Sequence, residues 1–342
     1  MQLSMGSMVR LALTAVFAAS LTGCPEETDT STGGQGGQGG QPPTEEGPQL
    51  FVLSLDSVAS VASADKTEGR AEPKTTLGAG ADTDMYGPRD VAISSSGELY
   101  VACENGPSIN VYAGADQATG ATLPSRKLSG ANTGLEAPIA IAIAGDNLFA
   151  VNNTSNGATN KDIMVFSGLS SIDGDQSPAR RIQVDMPLFS PTFMLENSDK
   201  LYVVNQDVNT TEILVFGSAS STDGLVAPEH VIANAEWGQA LSLYVDASDT
   251  LWAVDEGSQI FRYDGASSLD ESSTPSAVLD VTGAEQLSGL AFDPDGNLFA
   301  ADRSTAFVYV FDAPVATSGG LTPSRSFDAV AFRSPSRLVI MP

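Results

Sequence analysis

Six residues share one position in a recurring pattern, four places after the leucine that opens a short apolar run: Ser54, Cys103, Asn152, Asn205, Asp255 and Asp302. If the chain folds so that these runs surround an axis, the six side chains form a ring of mostly oxygen donors. Calcium, which takes roughly six to eight oxygen ligands, suits such a ring. The same residue types also close turns by accepting hydrogen bonds from nearby backbone, and both readings stand on sequence alone. Asp90 and Arg337 fall at equivalent places at the start of other apolar runs, so they join the candidate mouth residues and are expected to pair with each other.

The remaining chemistry is sparse. His230 is the only histidine and Cys24 and Cys103 are the only cysteines, so neither a His/Cys zinc site nor a Ser-His-Asp triad can be assembled. Cys103 has no histidine near it and an acidic surround that disfavours a thiolate, so it is expected to be a small buried residue. Asp293-Pro294-Asp295-Gly296-Asn297 superficially resembles a calcium loop, but it lacks the later acidic ligands and is expected to be a turn.

What must position these residues is a repeat. Leu-aromatic runs open at Leu50, Leu99, Leu148, Leu201, Leu251 and Leu298, and a period of this size marks a propeller or solenoid. Tyr112, Phe166, Phe216, Tyr263 and Phe311 are each followed twelve residues later by a proline, and a glycine stands four before it in every copy but the one with Glu271. The first copy keeps this register through Val61, Gly69 and Pro73. Each copy reads as four strands, A to D. Strand A covers 90–94, 139–143, 192–195, 240–245 and 289–292; the Leu-aromatic run is strand B; the alternating Ile109-Asn110-Val111-Tyr112 pattern is strand C. Strand D follows the proline and is expected to be the outer edge. The first copy begins at strand B, and Pro335-Ser336-Arg337-Leu338-Val339-Ile340 reads as a strand A with nothing after it. These two orphans complete each other and predict an all-β, six-bladed β-propeller over 49–342, latched by the last strand. In this register His230 falls on an outer strand, away from the axis.

Leu290-Ala291-Phe292-Asp293-Pro294-Asp295-Gly296-Asn297-Leu298-Phe299-Ala300-Ala301-Asp302, followed by Val308-Tyr309-Val310-Phe311, resembles the NHL-repeat class of six-bladed propellers. The resemblance covers 49–342 and implies the fold. It does not fix an activity, because this class and its near relatives include binding scaffolds, calcium-dependent lactonases of gluconolactonase-like type and a zinc lyase. Two functions follow as expectations. One is a non-catalytic scaffold for a protein, peptide, glycan or small ligand; the other is a calcium-dependent hydrolase with its metal in the channel. For the hydrolase the resemblance implies Asn152, Asn205 and Asp255 as the best candidate ligands, with Glu104 and Glu256 nearby, and a metal that polarises a lactone or ester carbonyl while Asp255 or Glu256 acts as base.

Residues 1–23 read as an export signal, with Arg10 before a short apolar run. Leu21-Thr22-Gly23-Cys24 resembles the bacterial lipobox, which implies lipidation of Cys24 and attachment to a membrane. Pro25 in place of Asp favours the outer membrane or cell surface. Residues 24–48, rich in Gly, Gln and Pro, read as a flexible tether. The 342-residue chain carries 42 acidic and 16 basic residues, a formal charge of -26. Nucleic acid is therefore excluded as a partner, since binding it needs a Lys/Arg footprint, and the chain is expected to act as a monomer.

Overall fold

Period-two alternation makes a strand bury one or both faces according to its neighbours, and here nearly every B and C strand is apolar on both. Such strands must stack sheet against sheet. The computed structural model describes residues 47–341 apart from 119, 154–156, 160, 187, 189, 208–209, 234–236, 239–241 and 315–316. Cys24 and the greater part of the tether lie outside the described residues.

Six antiparallel sheets form the blades of a β-propeller. Blade 2 consists of A Pro88–Ile93, B Leu99–Cys103, C Ser108–Tyr112 and D Arg126–Leu128. Blade 3 consists of Pro138–Ala144, Asn147–Asn152, Ile163–Ser167 and Arg180–Val184, and blade 4 of Ser190–Asn197, Lys200–Gln206, Thr211–Phe216 and His230–Ala233. Blade 5 has Ser242–Val245, Thr250–Val254, Gln259–Asp264 and Ala277–Val281; blade 6 has Leu287–Phe292, Leu298–Asp302, Val308–Phe311 and Arg325–Asp328. In blade 1 the B, C and D strands are Leu50–Ser54, Ser57–Val61 and Thr75–Gly78, and strand A is Arg337–Ile340. Its register sets Leu338 opposite Val52 and Val339 opposite Phe51.

No blade has a core of its own. The apolar residues fall into six clusters, and each draws on two adjacent blades in the order 1-2, 2-3, 3-4, 4-5, 5-6 and 6-1. The aromatic of each B strand (Phe51, Tyr100, Phe149, Tyr202, Trp252, Phe299) is no more than 5% exposed. Each such burial is worth about 1.5–3 kcal/mol, so the stabilisation resides between blades.

Strand D is not always the outer edge that its proline suggests. In blades 3, 5 and 6 a short segment of the following blade, Gly224–Val226, Gly319–Leu321 or Gly69–Arg70, pairs parallel to it. An isolated bridge from Leu128 to Gly174 does the same for blade 2. Each of these segments starts at the glycine of the sequence pattern, and Gly69, Gly174 and Gly224 adopt φ of 74°, 63° and 75°. That left-handed turn is cheap only without a Cβ. The conserved spacing of glycine to proline thus measures the crossing from strand C to strand D, which clasps the preceding blade.

The residue two after each proline opens strand D, and at Arg126 and Arg180 it too works between blades, whereas Arg325 pairs with Asp312 of its own blade. Arg126 donates through Nη1 to Leu169 O (2.9 Å) and Ile172 O (3.2 Å), and through Nη2 to Glu98 at 2.5 Å. Arg180 donates to Ala219 O (3.2 Å) and Thr222 O (2.5 Å). The carbonyls belong to the tight turn that follows strand C in the next blade. Arg126 and Arg180 thus reach from an outer strand to join adjacent blades.

Candidate functional site

The B-to-C loops and the D-to-A crossings share one face, and the ring of residues at the ends of the B strands sits there. Asn152 is fully buried. Its Oδ1 accepts from Glu136 N (2.9 Å) and Ala137 N (3.1 Å), while Nδ2 donates to Gly134 O at 3.0 Å. Asp302, also fully buried, accepts through Oδ2 from Glu285 N (2.6 Å) and Gln286 N (3.1 Å), and through Oδ1 from Ser304 N and Thr305 N, both 2.9 Å. Asp255 accepts from Gly238 N (3.1 Å) and Gly257 N (3.2 Å). All three side chains hold the incoming D-to-A crossing, and Asp255 and Asp302 also shape their own B-to-C turn. The turn-closing role expected of Asp and Asn is what these contacts describe.

The other members differ from one another. Asn205 is 2% exposed and stands opposite Pro191 and Glu212 in the sheet. Ser54 is 1% exposed, and its hydroxyl has no hydrogen-bond partner among the described residues. Cys103 is fully buried, and desolvation pushes its thiol up to about 11, so it is a packing residue and no nucleophile at neutral pH. Glu256 has a left-handed φ of 65° and forms an ion pair with Arg303. Among the described residues no group of three or more His, Cys, Asp and Glu side chains converges as a metal site would require. Asp293 closes its turn by accepting from Asp295 N (3.0 Å) and Asn297 N (2.8 Å), as its position between strands A and B implies. His230 lies on outer strand D of blade 4 beside Asp270, Glu271 and Ser272, on the rim.

Asp90 and Arg337 do meet, and they meet inside the central channel. The channel is a cavity of about 310 Å³ lined by the A strands of all six blades. Arg337 Nε lies 3.3 Å from Asp90 Oδ1, close enough for charge attraction although not aligned as a hydrogen bond. Its Nη2 reaches Thr192 O at 2.5 Å on blade 4, across the channel from blade 1, and its guanidinium stacks on the Phe193 ring at 5.1 Å. Nη1 donates to Ser336 O at 2.9 Å. Asp90 in turn accepts from Ile141 N of blade 3 at 2.9 Å and from Val91 N at 3.0 Å. Burial pushes the Asp90 carboxyl up to about 6, against the opposing pull of Arg337. Burial likewise holds Arg337 below the usual arginine range.

Two serines repeat the same device around the channel. Ser242 Oγ accepts from Leu290 N at 3.2 Å, linking blades 5 and 6, and Ser288 Oγ donates to Pro335 O at 2.6 Å, linking blade 6 to blade 1. The free edge of an innermost strand exposes N–H and C=O groups that must find partners, and these side chains supply them. The expected pairing of Asp90 with Arg337 was readable from the repeat register. The reach of Arg337 to Thr192 was not, because the two lie 145 residues apart and no pattern links them.

No protein-family model and no curated protein matches the sequence. Solved structures are similar in fold. A chain of the nidogen/laminin complex aligns with TM-score 0.62 and 16% identity over 86% of this chain and 99% of its own. A protein of unknown function from Bacteroides caccae aligns with TM-score 0.58 and 9% identity, again over 86% and 99%. At such identities the likeness establishes the β-propeller and nothing finer.

Proposed function

We propose that the protein is a non-catalytic binding scaffold, an NHL-like propeller tethered to the outer membrane or cell surface through lipidated Cys24. The observation that carries this reading is how the B-strand ring is used. The oxygens of Asn152 and Asp255, two of the three best candidate calcium ligands, and of their ring neighbour Asp302 are committed to backbone N–H groups, so these side chains stiffen the loop face. A rigid scaffold carrying variable loops is a common basis for recognition. Within 47–49 the chain docks at the opposite face, with Gly47 N donating to Ser63 Oγ (3.2 Å) and Ala64 N to Pro48 O (3.1 Å). The B-to-C loops lie on the other face, where a protein, peptide or glycan can reach them. One similar fold comes from a complex between proteins, nidogen and laminin, which agrees with this use.

The test compares the whole exported chain with calcium and with chelator. Thermal unfolding should be the same in both, and Asn152→Ala and Asp302→Ala should each cost about 2–3 kcal/mol in either condition, because each strands buried N–H groups. Calcium-dependent stabilisation together with lactone turnover abolished by Asp255→Ala would establish the hydrolase instead. For the anchor, Cys24→Ser should move the protein from the membrane fraction to the soluble one.

A further inference from the structure

The channel half remote from Arg337 has a chemistry of its own. Opposite the leading leucine of each B strand stand Ile93, Ile143, Glu196, Val245, Phe292 and Ile340. All but Val245 line the cavity, and those five are partly exposed, whereas Asp90, Val91, Ile141, Leu243, Leu290 and Arg337 at the other end are buried. The cavity is therefore open at the A-to-B turn face, while at the other end the guanidinium spans it from blade 1 to Thr192 and Phe193 of blade 4. Its open end is apolar, with Tyr244 and Phe292 packed at 4.7 Å between ring centroids. Glu196 is the one carboxylate among the residues lining that end, and Asp246 and Asp293 stand near enough to act on Tyr244. Glu196 Oε1 accepts from Asp199 N at 2.8 Å, and no cation pairs with it among the described residues. Burial raises its carboxyl above the ordinary range, as expected of a half-buried charge lacking a counter-ion.

We infer that the channel binds a small ligand made of an apolar body and a single cationic group, an arylalkyl or alkyl ammonium. The body fills the aliphatic bore, whose volume of about 310 Å³ is at the lower end of small-molecule sites. The ammonium meets Glu196 Oε2 and the faces of Tyr244 and Phe292. Charge argues for a cation at long range too, since a chain of formal charge -26 concentrates cations around itself. It argues against an anion, because Arg337 is already engaged by Asp90, Thr192 O and Ser336 O. This site is on the face opposite the B-to-C loops and stands independently of what those loops bind.

Titration calorimetry of the whole exported chain at neutral pH and low salt, with 2-phenylethylammonium as probe, tests the assignment. Size-matched 2-phenylethanol and 3-phenylpropanoate serve as comparisons. The ammonium should bind, the alcohol more weakly and the carboxylate not at all. Glu196→Gln should weaken the ammonium by about tenfold without changing the melting temperature, as losing one charge-assisted contact implies. Ala92→Leu, which narrows the bore, should weaken ammonium and alcohol together, and it decides the matter if Glu196→Gln does not fold. Failure of the ammonium to bind the wild type, equal binding of all three probes, or undiminished binding to a folded Glu196→Gln or Ala92→Leu chain would overturn the inference.

Discussion

Arg337 carries a charge into a place where it is only 8% exposed, and what compensates it is unusual in composition: one carboxylate, two carbonyls and one aromatic face. Removing charges from water costs several kcal/mol per ion, and attraction within the pair repays that only in part. Asp90 registers the shortfall as a carboxyl raised from 3.8 to about 6, with desolvation the main cause. A raised carboxyl means that the folded chain holds this proton more tightly than the unfolded chain. The stability due to Asp90 should therefore grow as pH falls through about 6 and be complete below about 3.8. Acid destabilises other carboxylates at the same time, so the quantity to measure is the difference between wild type and Asp90→Asn in urea unfolding across pH 4–7. That difference should move in favour of the wild type on acidification; parallel profiles would remove Asp90 from the titration. From sequence, Asp90 and Arg337 could be matched because both occupy the repeat position opposite a B-strand residue near its end. Of the partners that make the pair a plug, Phe193 holds that position in blade 4 and Thr192 precedes it at the bulge, but nothing in the pattern says that one side chain will cross to them.

At the scale of the element, most of the repeat was legible and its purpose was not. Strand order followed from period-two runs and from turns such as Asp293 to Asn297, because these are local and every copy repeats them. The glycine-to-proline spacing was equally visible, yet its role in clasping the preceding blade depends on contacts between copies. Arginine at the start of strand D illustrates the same limit, since Thr75, His230 and Ala277 occupy that position elsewhere and conceal its use. Arg126→Met keeps much of the apolar stem and deletes the bonds to Leu169 O, Ile172 O and Glu98. Its expected cost is about 2 kcal/mol in urea unfolding, the range for hydrogen bonds from a charged group, and Ala277→Arg should bring no matching gain. An unchanged midpoint for Arg126→Met would mean that blades 2 and 3 are held by their shared apolar cluster alone.

For the whole molecule the decisive fact is that the six apolar clusters belong to the gaps and not to the blades. A blade removed from its neighbours has two bare faces, so the ring should unfold as one unit, and its weakest joint governs the whole. That joint is the seam between the ends of the chain, where Arg337–Ile340 lies along the whole of Leu50–Leu53 and only the short Gly69–Arg70 segment adds a second pairing, to strand D of blade 6. Leu338 belongs to the cluster between blades 6 and 1, while Val339 packs against the one between blades 1 and 2. Gly289 permits the close approach there: a Cβ would stand 3.3 Å from Arg337 Cα and from Leu338 N. A chain ending at residue 336 loses the A strand of blade 1, opens both clusters and exposes the edge of strand B. An exposed apolar edge of that kind recruits other chains. The truncated chain should therefore lose its cooperative thermal transition and aggregate, and a synthetic peptide spanning 335–342 should restore both solubility and the transition. Gly289→Val should lower the melting temperature in the full-length chain by crowding the same seam. A truncated chain that melts at the wild-type temperature would show that five complete blades and a three-stranded remnant hold the ring without a latch.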